Sequence, residues 1–301
     1  MLNKLSANGF KRKRDDLSRD SLEIKMTYSC RLRCSFCLFS NRRSMPSMTS
    51  EMVKKNIAYF LNKYNIREVV FSGGEPSEYK GLCHLIGFAR DTGVGSIYLH
   101  TYAGKMLFSQ IQGLCRLIDR IMISYHRVGG HSSVTDKCIE RLLREGVAVR
   151  TNTLILSENC TTLPRIIQRL VDTGVRTMLF TYPFPLGSTG SENNSLLLLD
   201  RHQLKETIDV IVRVCEAAGI NVTFQGLPKC FLRPHHHLQE LWKDRFLVDF
   251  AHQFENRLLL FDGLLGRRFA EDCRGCREKE TCNGTWPDSW HGTIFNREPF
   301  A

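Results

Sequence analysis

The sequence contains no run of about 18 apolar residues, the length a membrane-spanning helix requires. Its first residues, MLNKLSANGFKRKRDD, hold no apolar core of signal-peptide length. No stripe of Lys and Arg interleaved with aromatics follows, which makes nucleic-acid binding a minor reading. Acidic residues are comparatively few: 31 against 42 basic ones, for a net charge of +11. These features predict a cytoplasmic protein with no place in a membrane. They also suit an acidic partner: a nucleotide, a nucleic acid, an acidic peptide or an acidic redox protein. Disulfide frameworks belong to short secreted chains, so the 12 cysteines of this 301-residue chain read as free thiols or metal ligands. At 42% hydrophobic, the chain has ample material for a full core.

Three of those cysteines lie in one short stretch, CRLRCSFC, as Cys30, Cys34 and Cys37. Thiolates are the soft ligands of zinc and of iron–sulfur clusters. Three on one loop can grip three corners of a four-iron cube and leave the fourth iron open to bind a small molecule. Phe36 gives the loop a flat apolar face. Residues 68 to 76, EVVFSGGEP, read as a strand running into a turn. Gly73 and Gly74 would let backbone approach a ligand closely, and Glu75 could accept a hydrogen bond from one.

Strand and helix patterns alternate six times. The strands are placed at 22–28, 68–72, 96–101, 120–125, 147–156 and 175–182. Helices are expected at 50–64, 80–91, 107–118 and 134–145, with one more opening near Pro164. The strands read as continuous apolar runs, which predicts a parallel sheet covered by helices. Six units fall short of the eight of a complete barrel, so the fold class is α/β, a partial (βα)6 TIM-type barrel. Active groups in such sheets sit at the C-terminal ends of strands, where both motifs fall. The expected organisation is a basic tail over 1–21, with its charge run at Lys11 to Arg14, the barrel over 22–199, and a small C-terminal region over 200–301. Residues 183–199 read as a turn-rich linker, and a helix over 200–218 follows.

The two motifs, in this order, resemble the signature of the radical S-adenosylmethionine (SAM) superfamily. The resemblance implies that Cys30, Cys34 and Cys37 hold a [4Fe-4S] cluster whose open iron chelates SAM. One electron then splits the sulfonium, and the 5′-deoxyadenosyl radical takes hydrogen from carbon. It further implies that Phe36, Gly73, Gly74 and Glu75 line the SAM site. Ser124 and Asn152, at the ends of strands four and five, would contact SAM; ordinary strand-end hydrogen bonding is the plainer reading of both. A Thr-Asn-Gly is common in the family after strand three; here the chain reads Thr101-Tyr102-Ala103-Gly104. The electron would come from a flavodoxin- or ferredoxin-like donor.

A second group follows: Cys273, Cys276 and Cys282 in CRGCREKETC, with Cys230 upstream in GLPKCFL. Four thiolates suit either a fully ligated four-iron cluster or a structural zinc. The resemblance favours iron, as an auxiliary [4Fe-4S] cluster of the twitch type within the wider SPASM class. Trp286 and Trp290 would shield it. The substrate is expected to be a peptide or a small metabolite, oxidised or otherwise modified at a C–H position. A leader-binding domain does not fit in this length, so a peptide would call for a separate leader-binding protein. Two alternatives stand beside this: an epimerase with Cys160 as hydrogen donor, and a non-enzymatic iron–sulfur or zinc regulator of nucleic acid. Cys160 otherwise reads as inert. Cys83, Cys115, Cys138 and Cys215 read as core, and His235 to His237 as a solvated loop.

Overall fold

The structure is a computed structural model, described over residues 20–104, 108–126, 132–183, 199–241, 245–253, 258–259, 269 and 273–284. The chain begins β1 (Ser21–Thr27), α1 (Ser50–Lys63), β2 (Glu68–Gly73), α2 (Leu82–Asp91) and β3 (Ser96–Thr101). It continues α3 (Phe108–Leu114), β4 (Arg120–Ser124), α4 (Ser132–Arg144), β5 (Ala148–Leu154), α5 (Leu163–Asp172) and β6 (Thr177–Thr181). Then come α6 (Arg201–Ala217), β7 (Asn221–Gln225), β8 (Arg245–Val248) and β9 (Leu258–Leu259).

Side-chain chemistry sets the helix starts. Thr49 caps α1, its Oγ1 accepting from Met52 N at 3.2 Å. Asp200 caps α6 reciprocally with Gln203: Gln203 N donates to Asp200 Oδ1 at 2.8 Å and Asp200 N to Gln203 Oε1 at 3.3 Å. Pro164 sits in the first turn of α5, where no backbone donor is needed.

Among the described residues the strands form one open sheet in the order β7-β6-β5-β4-β3-β2-β1-β8-β9. Every neighbouring pair is parallel except β8–β9. This is the expected open, partial barrel, but the sheet does not stop at six strands. NVTFQ, read above as a short strand beyond the barrel, pairs with β6 from Thr177↔Asn221 to Thr181↔Gln225. β8 lies parallel to β1 on the other side. The sheet therefore runs past residue 199.

The strands also differ from the continuous apolar runs expected. In β3, Ile97 and Leu99 are fully buried while Tyr98 and His100 alternate with them on the opposite face. Glu23 and Lys25 alternate with Leu22, Ile24 and Met26 in β1, and Arg150 and Asn152 with Val149 and Thr151 in β5. The apolar face packs under Val53, Ile57 and Phe60 of α1, Leu85 and Ile86 of α2, Ile166 and Leu170 of α5, and Leu204 and Ile211 of α6. Cys138 and Cys215 are buried, and Cys83 and Cys115 pack against this core, as expected of small apolar groups.

The other face is polar and internally paired. Glu23 accepts from Lys25 Nζ and Ser72 Oγ, each at 2.6 Å, and from Arg245 Nη1 at 3.2 Å. Burial pushes the Glu23 carboxyl up, yet Lys25 and Arg245 outweigh it and hold the group well below the usual range. His100 faces the same cations; its burial brings it down to about 4. Further along, Arg150 grips Glu240 with both terminal nitrogens, and Thr223 and Gln225 of β7 also donate to that carboxylate.

Candidate functional site

The cysteine loop leaves the C-terminal end of β1. Tyr28, at its root, donates to Asp249 Oδ2 at 2.7 Å, and Arg42, beyond the loop, donates to the same oxygen at 3.0 Å. Asp249 is fully buried, and its Oδ1 takes the backbone and ring nitrogens of His252 at 2.9 and 2.8 Å. Both ends of the loop are thus tied to the segment after β8. Inside it, Arg33 takes a left-handed φ of +44°, and Cys37 N donates to Cys34 O at 3.3 Å.

Cys30, Cys34 and Cys37 are all half-buried, and none is in a disulfide. Burial pushes the Cys30 thiol up to about 11; the Leu32 backbone opposes, while Glu75, Cys34 and Glu78 add to the rise. Among the described residues, no three Cys, His, Asp or Glu side chains form a group set to hold a single metal ion.

GGEP lies directly against the loop's root. Gly74 N donates to Thr27 O at 2.7 Å and Glu75 N to Ser29 O at 2.9 Å. A Cβ on Gly73 would stand 2.1 Å from Thr27 O, and one on Gly74 2.2 Å from Ser29 O. The glycines therefore have a reason nearer than a ligand: any side chain would push β2 off the backbone that carries Cys30. Glu75 is 1% exposed, and its side chain is already engaged. It accepts from Ser77 N and Tyr102 N, each at 2.9 Å, and from Thr101 Oγ1. Burial pushes this carboxyl up while those bonds pull it down. The segment after β3, where the chain departs from the family's Thr-Asn-Gly, is thus clamped to GGEP.

Phe36 is buried, and its ring meets His126, after β4, edge-on at 5.0 Å. His126 Nδ1 accepts from Leu154 N at 3.1 Å, and Asn159 Nδ2 donates to His126 O at 3.1 Å. This chain of contacts joins the loop to the turn after β5. Cys160 opens a 3-10 turn there, and its Sγ donates to Ser157 O at 3.3 Å. Ser124 and Asn152 are register partners at the ends of β4 and β5, and Asn152 Oδ1 accepts from Thr181 Oγ1 at 2.9 Å. Asp249, His126 and Asn159 went unread in the sequence, since a single polar residue past a strand carries no spacing signal.

The second group assembles beside β7. Lys229 N and Gly284 N each donate to Cys282 Sγ at 3.4 Å, and Cys276 N donates to Cys273 O at 3.3 Å. Lys229 Nζ reaches Glu278 Oε2 at 2.6 Å and Thr281 Oγ1 at 2.7 Å. Burial pushes the Cys230 thiol up to about 11, and the nearby sulfurs of Cys282, Cys273 and Cys276 add to it. Cys230 thus stands beside the three downstream cysteines. The histidines do not converge: His235 pairs with Asp209 of α6 at 3.2 Å while His236 and His237 continue into a 3-10 turn. Trp286, Trp290, the tail over 1–19 and most of the 183–199 linker lie outside the described residues.

A parallel open sheet with a three-cysteine loop after β1 and a glycine-backed turn after β2 defines a class. The chain belongs to the Radical SAM superfamily, whose model matches residues 24–227. Among curated proteins it is similar to a probable GTP 3′,8-cyclase of Sulfurisphaera tokodaii, 26% identical over 64% of this chain and 66% of that protein. It is also similar to a PqqA peptide cyclase of Bradyrhizobium diazoefficiens, 29% identical over 50% of this chain and 42% of that protein. The chain thus spans between about two fifths and two thirds of these relatives' lengths. Among solved structures, Streptococcus suis SuiB bound to S-adenosylmethionine shares the fold, with a TM-score of 0.63 at 13% identity over 88% of this chain and 72% of that one. No helix among the described residues is long and apolar enough to cross a membrane.

Proposed function

We propose that this chain cleaves SAM reductively and modifies a C–H position of its substrate, acting in the cytoplasm. When bound, a [4Fe-4S] cluster with one open iron supplies the electron that splits SAM and yields the hydrogen-abstracting radical. Cys30, Cys34 and Cys37 would hold it. The observation that carries this reading is the docking of GGEP against the loop's root, through Gly74 N–Thr27 O at 2.7 Å and Glu75 N–Ser29 O at 2.9 Å. The strand end that borders the SAM site is thereby fixed to the strand end that carries the cysteines.

Gly73 and Gly74 keep that backbone contact, and Glu75 organises the Thr101–Tyr102 wall beside it. Phe36, Ser124 and Asn152 form the apolar and polar rim. In the C-terminal region, which begins with α6 and β7, Cys230, Cys273, Cys276 and Cys282 would bind an auxiliary [4Fe-4S] cluster. With no open iron, that cluster is suited to accept an electron and make the net reaction an oxidation. Asn283 Nδ2 donates to Glu240 O at 2.8 Å, linking this region to the polar face of the sheet.

Two substrate readings stand, each with its own support. A peptide is favoured by the peptide-cyclase relative and would bring in a separate leader-binding protein. A small metabolite is favoured by the GTP-cyclase relative. The test of the common step is anaerobic reconstitution with iron and sulfide, then dithionite and SAM. Release of 5′-deoxyadenosine is expected. Its absence from iron-loaded protein, with nucleic-acid binding in its place, would sink the enzyme reading in favour of the regulator. Supplying candidate peptides and nucleotides then separates the two substrates by which one gains or loses mass.

A further inference from the structure

The inner, polar face of the sheet leaves donors without acceptors among the described residues. Two rows of side chains cross it below the strand ends. In the lower row Glu23↔Val70, Val70↔Tyr98 and Tyr98↔Arg120 are register partners, and Arg245 joins through Glu23. One inner-facing position higher lie Lys25, His100, Met122 and Arg150, with His100↔Met122 and Met122↔Arg150 paired. The two carboxylates that meet this face are saturated. Glu23 takes Lys25, Ser72 and Arg245, and Glu240 takes Arg150, Thr223 and Gln225. The cations are not: Lys25, Arg120, Arg150 and Arg245 stand against those two acids. Arg245 is the clearest case. Its side chain is 18% exposed, yet of its guanidinium donors only Nη1 is engaged, with Glu23 at 3.2 Å, and Nε is buried without a partner. Arg120 lies over the Tyr98 ring at 4.2 Å and is otherwise uncommitted among the described residues. His100 feels the charges of Glu23, Arg245, Lys25 and Arg150 at once, and has no hydrogen-bond partner among the described residues.

A half-buried face with surplus guanidinium groups and both carboxylates already used is complementary to an acceptor-rich anion. Resting on the reading of the strand ends as the place of reaction, we propose that the substrate carries an anionic group, a carboxylate or a phosphate. Arg245 holds that group on the floor of the interior, with Arg120 and His100 beside it. Solvent reaches the path down to it, since Tyr98, His100, Met122, Ser124, Arg150 and Asn152 are all half-buried. Tyr98 lies three residues below Thr101, which puts the anion about 10 Å beneath the strand ends. The substrate is therefore elongated, with its anionic end on the floor and the reacting C–H near Ser124 and Asn152. A cationic substrate is disfavoured there, because it would be desolvated beside unpaired guanidinium groups.

The test uses the reconstituted full chain with saturating SAM and no reductant, so that probes are kept out of the SAM site. Calorimetry reads three probes: inorganic pyrophosphate, glutarate, and glutaramide as the uncharged match of glutarate. Pyrophosphate or glutarate should bind saturably, and glutaramide should not. Binding of pyrophosphate alone points to a phosphate-bearing metabolite, and binding of glutarate to a carboxylate-bearing substrate. Arg245→Gln should weaken the bound anion about ten-fold, while Lys25 still holds Glu23. Arg120→Gln should weaken it about three-fold; its side chain is exposed, so it carries the test if Arg245→Gln does not fold. Arg31→Gln/Lys80→Gln, at exposed cations beside the cysteine loop, should change little. Binding of neither anion, equal binding of glutaramide, affinity that survives both Arg245→Gln and Arg120→Gln, or a larger loss in the loop variant would overturn the proposal. Dithionite is then added to the same samples. Anion binding without 5′-deoxyadenosine release would overturn the function reading and leave this site standing, and release without anion binding would do the reverse.

Discussion

Past the C-terminal end of β1, three cysteines lie within eight residues of one another on a single loop, and the backbone beneath them is fixed by the turn after β2. Beside β7, Cys230 has to meet a segment far along the chain: Lys229 donates to a sulfur 53 residues away. The first site is therefore local in sequence, and its geometry is set by backbone contacts that admit no side chain at Gly73 or Gly74. The second is made by tertiary closure and is latched by side chains, chiefly Lys229 with Glu278 and Thr281. Loop-closure entropy works against the second site in a way that it does not against the first. A site of the first kind should fail through backbone displacement, and one of the second through loss of a latch.

The largest effect tests whether the two sites are independent. Cys37→Ala removes a proposed ligand from the first, and SAM cleavage should fall to background. Replacing Cys30, Cys34 and Cys37 together with Ala should leave about half of roughly eight irons per chain, all in the second site. Stoichiometric zinc in that triple variant would make the second site structural and end the comparison as one between two clusters.

Gly74→Ala should come next. Its Cβ would stand 2.2 Å from Ser29 O and 2.6 Å from the Tyr28 carbonyl carbon, so the loop's root must move. Destabilisation of about 1–3 kcal/mol is expected. Thermal denaturation should show it, and iron analysis should find the first site depleted while the second is kept. Equal loss from both would mean that the glycine contact supports the whole sheet rather than the loop.

Lys229→Met probes the latch. The Lys229 side chain is 15% exposed and Glu278 32%, so the pair is partly screened. Iron should leave the second site to a chelator up to about five-fold faster, with the first site unchanged. The smallest effect is expected at Cys160. Its thiol is occupied with Ser157 O, and electron acceptance by the proposed auxiliary cluster would need no hydrogen donor. In deuterated water, Cys160→Ala should keep turnover and give a product free of carbon-bound deuterium. Deuterium on carbon in the wild type, with turnover lost in the variant, would favour epimerisation.

Much of the first site was legible because its information is local. The cysteine spacing, the glycine pair and the alternation of strand and helix are periodic or clustered signals. They were enough to place the loop and GGEP at the ends of neighbouring parallel strands. What they missed has a physical cause. An acid after two glycines carries no mark of its protein partners; only the fold shows Glu75 bonded to Ser77, Thr101 and Tyr102. The strands read as apolar throughout because Glu23, Lys25, His100 and Arg150 are scattered singly, one or two to a strand. Each looks like an exception until parallel pairing brings them onto one face, where Lys25 and Arg245 offset Glu23 and Glu240 offsets Arg150.

By itself, then, the sequence determined the fold class, the cysteine loop and its glycine support, since residues close along the chain make those features. Tertiary structure alone decided that β7 and β8 extend the sheet, that Asp249 ties both ends of the loop, and that Cys230 stands beside Cys273, Cys276 and Cys282. Those contacts join residues tens to hundreds of positions apart, and no local pattern encodes a partner that only the closing of the sheet brings near.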